Sequence, residues 1–444
     1  MNQLIMNLIE QGKFSEVRNE IVKINVVDIA QILEELKVEK MLIVFRLLPK
    51  EIAAEVFSYV SSEQRQQIIE VSTDKEIKNI IDELFLDDTI DILEEMPSNI
   101  VKKILKNTNQ NMREIINQFL NYPENSAGSI MTIEYVDLKK EMTIGEALEH
   151  IKRTAVDKET INTCYVIDNN RRLEGIVSLR KLILNDKDIV IKDIMKTNII
   201  SIQTTMDQEE IASLFKKYDL LAMPVVDNEN RLVGIITIDD IVDIIEQENT
   251  EDFQKMAAMQ PSDEEYLKTN VFTLAKHRVI WLMVLMISAT FTGNIIKKFE
   301  DVLQSVVILA AFIPMLMDTG GNAGSQSATL IIRGLALEEI KLKDILKVLW
   351  KELQVGIIVG LTLVVVNFIR IYYFEKTDIN ITITVCSSLF LTVVLAKVIG
   401  GGLPILAKKL KLDPAIMASP LITTIVDAVA LVAYFSMSSR LLGL

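Results

Sequence analysis

Hydrophobic and polar positions change their period three times along the chain. Over the first 125 or so residues, apolar side chains recur at helical spacing in short runs such as "LPKEIAAEVFSYVSSEQRQQIIEV" and "FLDDTIDILEEMPSNIVKKILKN". Breaks fall near Pro49, Ser61-Ser62 and Pro97. Short amphipathic helices stacked in pairs predict a helical superhelix over 1–125. "NYPENSAGS", residues 121–129, is rich in turn formers and reads as a linker.

A repeat follows. "YVIDNNRRLEGIVSLRKLI", 165–183, matches "PVVDNENRLVGIITIDDIV", 224–242, at seven of nineteen positions and an offset of 59. Each copy reads as strand, turn, strand, helix. Each follows an amphipathic helix, and each unit opens on an Ile-Met pair, Ile130-Met131 and Ile194-Met195. Two α/β modules are expected, at 130–190 and 194–246, with a polar connecting helix over 247–275.

The last 169 residues, 276–444, lose the polar phase. Five apolar runs stand at Val279–Ile296, Val302–Ile332, Leu353–Ile369, Ile379–Ala396 and Pro414–Ser439. Each is near the roughly 20 residues a helix needs to cross the hydrocarbon core. The fold class is therefore multidomain: an all-α N-terminal superhelix, a pair of α/β modules and a five-helix transmembrane bundle.

Charge sharpens this division. Residues 276–444 hold 16 Lys/Arg against 11 Asp/Glu, and the first 275 hold 31 against 50. An acidic front argues against nucleic acid and suits cations. Lysines at 341, 343, 347 and 351, then 408, 409 and 411, favour a cytoplasmic front and a C-terminus outside. The N-terminus lacks a basic region and a long apolar region, so no cleaved signal is expected. Cys164 and Cys386 read as separate reduced thiols. With two histidines in the chain, His150 and His277, a zinc-type site is disfavoured. No span holds a nucleophile and base pair, so an enzyme is not expected.

Asp427 is the one charge between Asp413 and Arg440. A carboxylate at the centre of a span costs roughly 2.5–3.5 kcal/mol and must face the bundle or water. The plain alternative is a carboxylate bonded to Thr423, one turn below. Thr423 and Thr424, with a carbonyl freed by Pro420, could instead offer oxygens to a hard divalent cation. In "MDTGGNAGSQSATLIIRG" the small residues Gly320, Gly324 and Ser327 suit close packing. Asp318, Asn322 and Gln326 recur four apart and form a polar stripe that lines a cavity or faces protein. Lys397 reads as snorkelling to the inner surface.

Two acidic runs remain. One holds Asp87, Asp88, Asp91, Glu94 and Glu95. The other holds Asp239, Asp240, Asp243, Glu246, Glu248, Glu251 and Asp252. Solvated helix faces explain single members, but charge at this density repels unless cations lie between.

"PMLMDTGGNAGSQSATLIIRGLA" with "SPLITTIVDAVALVAYF", behind paired repeats and a helical front, resembles the MgtE family of magnesium channels and transporters. The repeats resemble cystathionine-β-synthase (CBS) domains. The resemblance implies a homodimer in the cytoplasmic membrane with a pore for hydrated Mg²⁺, passive flow and negative feedback by cytosolic Mg²⁺. Its pore positions match Asp427, Thr423, Ser419 and Asn322. Its regulatory metal positions match Asp88, Asp91, Asp207, Glu209, Asp219, Asp240, Asp243, Glu248, Glu251 and Asp252. Some members bind ATP in the CBS pair; Thr237 and Asp240 fit that pattern, whereas the first repeat has Ser178 with Lys181 in place of the acid. Two rivals stay open: a membrane-anchored sensor of divalent ions or nucleotides, and a transporter of Mn²⁺ or Co²⁺.

Overall fold

The computed structural model describes residues 2–443 apart from 263–265 and 268, and leaves the side chains of Asp157 and Ser419 undescribed. The chain forms two compact units, Met1–Ile245 and Glu246–Leu444.

The first unit begins with ten short helices among the described residues, from Asn2–Glu10 to Gln110–Phe119. The sequence breaks are where helices start. Pro49 precedes Lys50–Tyr59, Ser61 precedes Ser62–Val71 and Pro97 precedes Ser98–Asn107. Thr73 and Glu76 form a reciprocal cap, and Asn109 accepts from the Met112 amide at 2.8 Å. Helices of eight to ten residues are marginal alone. Here each turns its apolar stripe inward, so that Ile5, Val17, Ile29, Phe57, Ile77 and Ile104 are fully buried in one continuous core.

Each repeat builds a three-stranded sheet. The strands are β1 (Asp137–Leu138), β2 (Thr163–Ile167) and β3 (Leu173–Ser178), then β4 (Ile202–Gln203), β5 (Ala222–Val226) and β6 (Leu232–Thr237). Both sheets pair parallel, then antiparallel, and both slip register at the same place, Val166/Ile167 and Val225/Val226. The opening Ile-Met segments are exchanged between repeats. Met195 lies on Gly175 and Met131 on Gly234, and Thr132 bridges to Ile235 as Lys196 does to Ile176. The expected linker is not a loose tether. Ser126 to Ser129 are buried, and the amides of Ala127 and Gly128 donate to Met206 and Thr204 carbonyls at 2.8 Å.

Among the described residues the second unit contains five helices long and apolar enough to cross a membrane: Val271–Lys298, Val307–Ala336, Leu342–Phe374, Ile379–Lys409 and Pro414–Leu442. Four of them run longer than their apolar cores, because flanking polar residues continue the helix, whereas the second starts five residues later than its apolar run and ends four later. The connecting helix differs from expectation. Helix Ile238–Met256 runs straight on from the second repeat and stops well short of 275; residues 263–265 and 268 of that segment lie outside the described residues.

Small residues let the spans approach. Gly400 of the fourth span sits directly against the Gly324 carbonyl of the second, with no room for a side chain. Gly400→Ala is therefore expected to force these spans apart at a cost of about 1–3 kcal/mol. Thermal melting of the purified protein should fall by several degrees; an unchanged midpoint would refute the packing argument.

Candidate functional site

Asp427 lies on helix Ser419–Leu442, close to mid-way along the span Pro414–Leu442. Its Oδ1 is buried and has no hydrogen-bond partner. The nearby Asp318 carboxylate acts on it electrostatically. An orphaned carboxylate oxygen beside a second acid is a poor structural element and a fitting cation ligand. Pro420 stands in the first turn of the helix, where no intrahelical bond is lost, so it frees no carbonyl as the sequence reading had it. Its own carbonyl accepts from the Thr424 hydroxyl at 3.0 Å, which turns Thr424 back onto its helix. Thr423 packs on Gly321 of the second span. The side chain of Ser419 lies outside the described residues.

The second span divides its two roles between its two faces. Gly320, Gly321, Gly324 and Ser327 are buried among neighbouring helices. Asp318, Asn322 and Gln326 form the exposed stripe. Asn322 thus stands on the same face as Asp318, the acid that Asp427 senses.

Lys397 does not snorkel. It is only 5 % exposed, and its Nζ donates to Gln326 Oε1 at 3.0 Å. The third span brings Glu352 into the same interior, 9 % exposed, accepting from Ser327 Oγ at 2.5 Å.

In the first unit, helix Leu86–Glu95 brings its acids against those of the second repeat. Asp87 is buried, and burial, then the charges of Asp240, Asp88 and Glu159, hold its carboxyl well above the usual range. Desolvation and then the Asp240 charge raise Asp91 to about 7, although much of the residue is exposed. Glu159 reaches about 7 through desolvation, Asp239 and Asp240. Asp240 reaches about 6, chiefly by desolvation, against the Thr237 hydroxyl that donates to it at 2.7 Å. Desolvation raises Asp88 too, opposed by Arg65. Asp88, Asp239 and Asp243 all act on the Tyr59 hydroxyl, which marks them as neighbours. Carboxylates that raise one another's pKa form a site of negative potential suited to a hard cation with its waters. Among the described residues, however, no three His, Cys, Asp or Glu side chains are gathered closely enough to hold a bare metal ion.

Asp207, Glu209 and Asp219 lie elsewhere. All three are exposed. Asp207 caps the start of helix Gln208–Tyr218, accepting from the Glu209 amide at 2.9 Å, and Asp219 closes its end with φ +50°. Eleven helical residues, about 16 Å, separate the two ends, too far to share one ion.

The end of helix Ile238–Met256 carries a second acidic group, within the second unit. Lys255 Nζ donates to Glu251 at 2.6 Å and to Asp413 at 2.7 Å. Burial opposes its charge, but these two partners outweigh that and raise its pKa. Asp413 also caps the turn Pro414–Met417 that opens the fifth span. Asp252 is raised to about 6 by burial and then by Asp413. Glu248 is half-buried on the same helix.

In the possible nucleotide positions, Thr237 and Asp240 are bonded to each other. The first repeat places a cation where the second has Asp240: Lys181 folds back to the Ile194 carbonyl at 2.9 Å. Sequence reasoning missed Glu159, Glu352 and Asp413. Glu159 and Glu352 are isolated acids outside the dense runs; the Asp413-Pro414 step was a legible cap signal.

Comparison with known proteins now adds to this geometry. Residues 313–437 match the family model MgtE, described as a divalent cation transporter, 24–125 match the MgtE intracellular N domain, and 127–187 and 191–247 match the CBS domain. The magnesium transporter MgtE of Thermus thermophilus is 36 % identical over 442 residues, covering 99 % of this chain and 98 % of that protein. The chain belongs to the MgtE family. The Bacillus subtilis magnesium transporter MgtE is 34 % identical over 93 % of both chains. Among solved structures, the ATP complex of the cytosolic domain of the Mg²⁺ channel MgtE covers 55 % of this chain and all of its own, at 35 % identity and a TM-score of 0.53. The soluble part of a magnesium transporter covers 56 % and 97 %, at 28 % identity and 0.52. The MgtE-family superhelix, CBS pair and five-helix bundle are thus the architecture of this chain.

Proposed function

We propose that this MgtE-family protein conducts Mg²⁺ passively across the cytoplasmic membrane and closes when cytosolic Mg²⁺ is high. The observation that carries the reading is Asp427: a carboxylate at mid-span with a buried, unpartnered oxygen beside a second acid. In a homodimer, two copies of Asp427 meet one hydrated ion, with Asn322, Thr423 and Ser419 touching its waters. Few direct ligands are needed, because Mg²⁺ dehydrates reluctantly. A divalent ion gains about 4.6 kcal/mol per 100 mV of full crossing, enough to drive uptake with no coupled ion.

Regulation is assigned to the two acidic groups. Mg²⁺ between helix Leu86–Glu95 and the second repeat, with Asp88, Asp91, Asp240 and Asp243 as its acids, would offset the burial, and then the mutual repulsion, that raise Asp88, Asp91 and Asp240. Glu248, Glu251 and Asp252 supply the site at the end of helix Ile238–Met256. Asp207, Glu209 and Asp219 would take further ions singly, at the ends of their helix. ATP at Thr237 and Asp240 would compete with Mg²⁺ for the same carboxylate. The N-terminal and CBS domains face the cytosol and the C-terminus lies outside.

The test is Mg²⁺ influx into liposomes carrying the purified protein, at low internal Mg²⁺. Influx should follow an imposed inside-negative potential and fall as internal Mg²⁺ rises into the millimolar range. A folded protein that carries no Mg²⁺ under any potential overturns the channel reading.

A further inference from the structure

Two charged side chains are packed into the bundle interior by a reciprocal arrangement. On the third span, Glu352 is followed one turn later by Gly356; on the fourth, Lys397 is followed one turn later by Gly401. A Cβ on Gly401 would meet Glu352 Cγ at 2.8 Å, and one on Gly356 would meet Lys397 Cβ at 3.5 Å. Each charged stem therefore lies over the other helix's glycine. The two charges attract each other. Both then reach the second span at adjacent residues, Glu352 to Ser327 and Lys397 to Gln326.

Charged side chains at membrane depth are costly and mark ion routes or their supports. These two are nine-tenths buried, so they do not themselves line an open route. The reach of Lys397 ends on Gln326, which is exposed on the stripe with Asp318 and Asn322. Gln326 is one helical turn beyond Asn322.

We propose that Gln326 is a further rung of the ion path, that Lys397 positions it by holding its amide oxygen, and that Glu352 cancels the charge of Lys397 behind the route. The proposal deepens the channel reading and rests on it. The amide oxygen is held from behind by the ammonium, and the second lone pair of Oε1 is left to accept from the waters around a passing ion. An uncompensated ammonium at that place would repel a divalent cation. With Glu352 beside it, Lys397 supplies geometry without a net field.

The experiment measures initial Mg²⁺ influx against external Mg²⁺ concentration in liposomes, with thermal melting of each purified variant. Gln326→Leu leaves the buried Lys397 ammonium without its acceptor and should cut influx roughly tenfold with some fall in melting. Gln326→Leu/Lys397→Met removes that ammonium too and should keep the loss of influx with the melting midpoint restored. Glu352→Gln should cut influx at least as far and raise the half-saturating Mg²⁺ concentration. The double variant Glu352→Gln/Lys397→Met removes both charges and should raise influx at least about threefold above that of Glu352→Gln alone. Lys397→Arg keeps the charge and the donor and should keep most of the flux.

Influx by Gln326→Leu equal to wild type overturns the rung. Loss in Glu352→Gln that Glu352→Gln/Lys397→Met fails to reverse, with a matching fall in melting, makes the pair a packing element and overturns the positioning role. Wild-type protein without any Mg²⁺ influx overturns the channel reading and this proposal together, whereas normal wild-type influx with unaffected variants overturns this proposal alone.

Discussion

Asp427→Ala is expected to reduce potential-driven Mg²⁺ influx by more than about a hundredfold. At an effective dielectric near 20, a carboxylate about 5 Å from a divalent ion, with one water between, attracts it by roughly 6 kcal/mol before desolvation is charged against it. Retaining even half of that corresponds to about a hundredfold in occupancy. Asp427→Asn keeps an oxygen in the same place and loses the charge. It should therefore lose Mg²⁺ influx nearly as completely while letting monovalent cations pass more freely. Neither substitution alters the carboxylates of the first unit, so Mg²⁺ should still raise the melting point of that unit in both variants. Parallel loss of flux and of this Mg²⁺ response would point to misfolding; intact flux in Asp427→Ala would move the ion route elsewhere.

The second large effect concerns pH. Asp91 and Glu159 are raised to about 7 and Asp240 to about 6, from ordinary values of 3.8 for Asp and 4.5 for Glu. A carboxyl with a raised folded-state pKa holds its proton more tightly folded than unfolded. Its stabilising contribution is complete below about pH 4 and is lost as pH climbs through 6 to 7. Without divalent ions, the helical front and second repeat should therefore be held together more weakly at pH 8 than at pH 5.5. Mg²⁺ binds the deprotonated acids and competes with protons. Added Mg²⁺ should thus raise the melting temperature strongly at pH 8 and little at pH 5.5. Thermal melting of the full chain at both pH values, with Mg²⁺ and with a chelator, measures the difference. An Mg²⁺ effect equal at both pH values, or larger at pH 5.5, would show that these carboxyls do not take the ion. Asp91→Asn with Asp240→Asn should make the chelated protein more stable at pH 8 and remove most of the Mg²⁺ response.

What could be read from the sequence depended on whether a residue's meaning lay along the chain or across it. The five spans are legible because their apolar runs need no partner to be recognised. The paired repeats are legible because the second copy repeats the first down to the position of the register slip. Asp427 and the Asp318-Asn322-Gln326 stripe are legible because a carboxylate or a four-residue period stands out in an apolar run. Lys397 was misread because its distance from the end of its own span says nothing about what the third span presents to it. Glu352 stood one residue before the apolar run that begins at Leu353, and only the full helix Ile345–Ile369 carries it inward. Asp207, Glu209 and Asp219 are singled out only by the family resemblance, and helix Gln208–Tyr218 holds Asp207 and Asp219 at opposite ends. Glu159 belongs to no acidic run, and it joins the cluster only because the first repeat folds it beside Asp239 and Asp240.

The first span, Val271–Lys298, buries no residue within this chain. Its neighbour in the bundle is the last span, joined near one end by the stacking of Phe299 on Phe435 at 5.0 Å. About 120 residues separate Lys298 from Ser419. At a synthesis rate of about 5–20 residues per second, the first span spends roughly 6–24 s in the membrane before its neighbour exists. A chain that stops before its last span therefore leaves the first span without its main neighbour in this bundle.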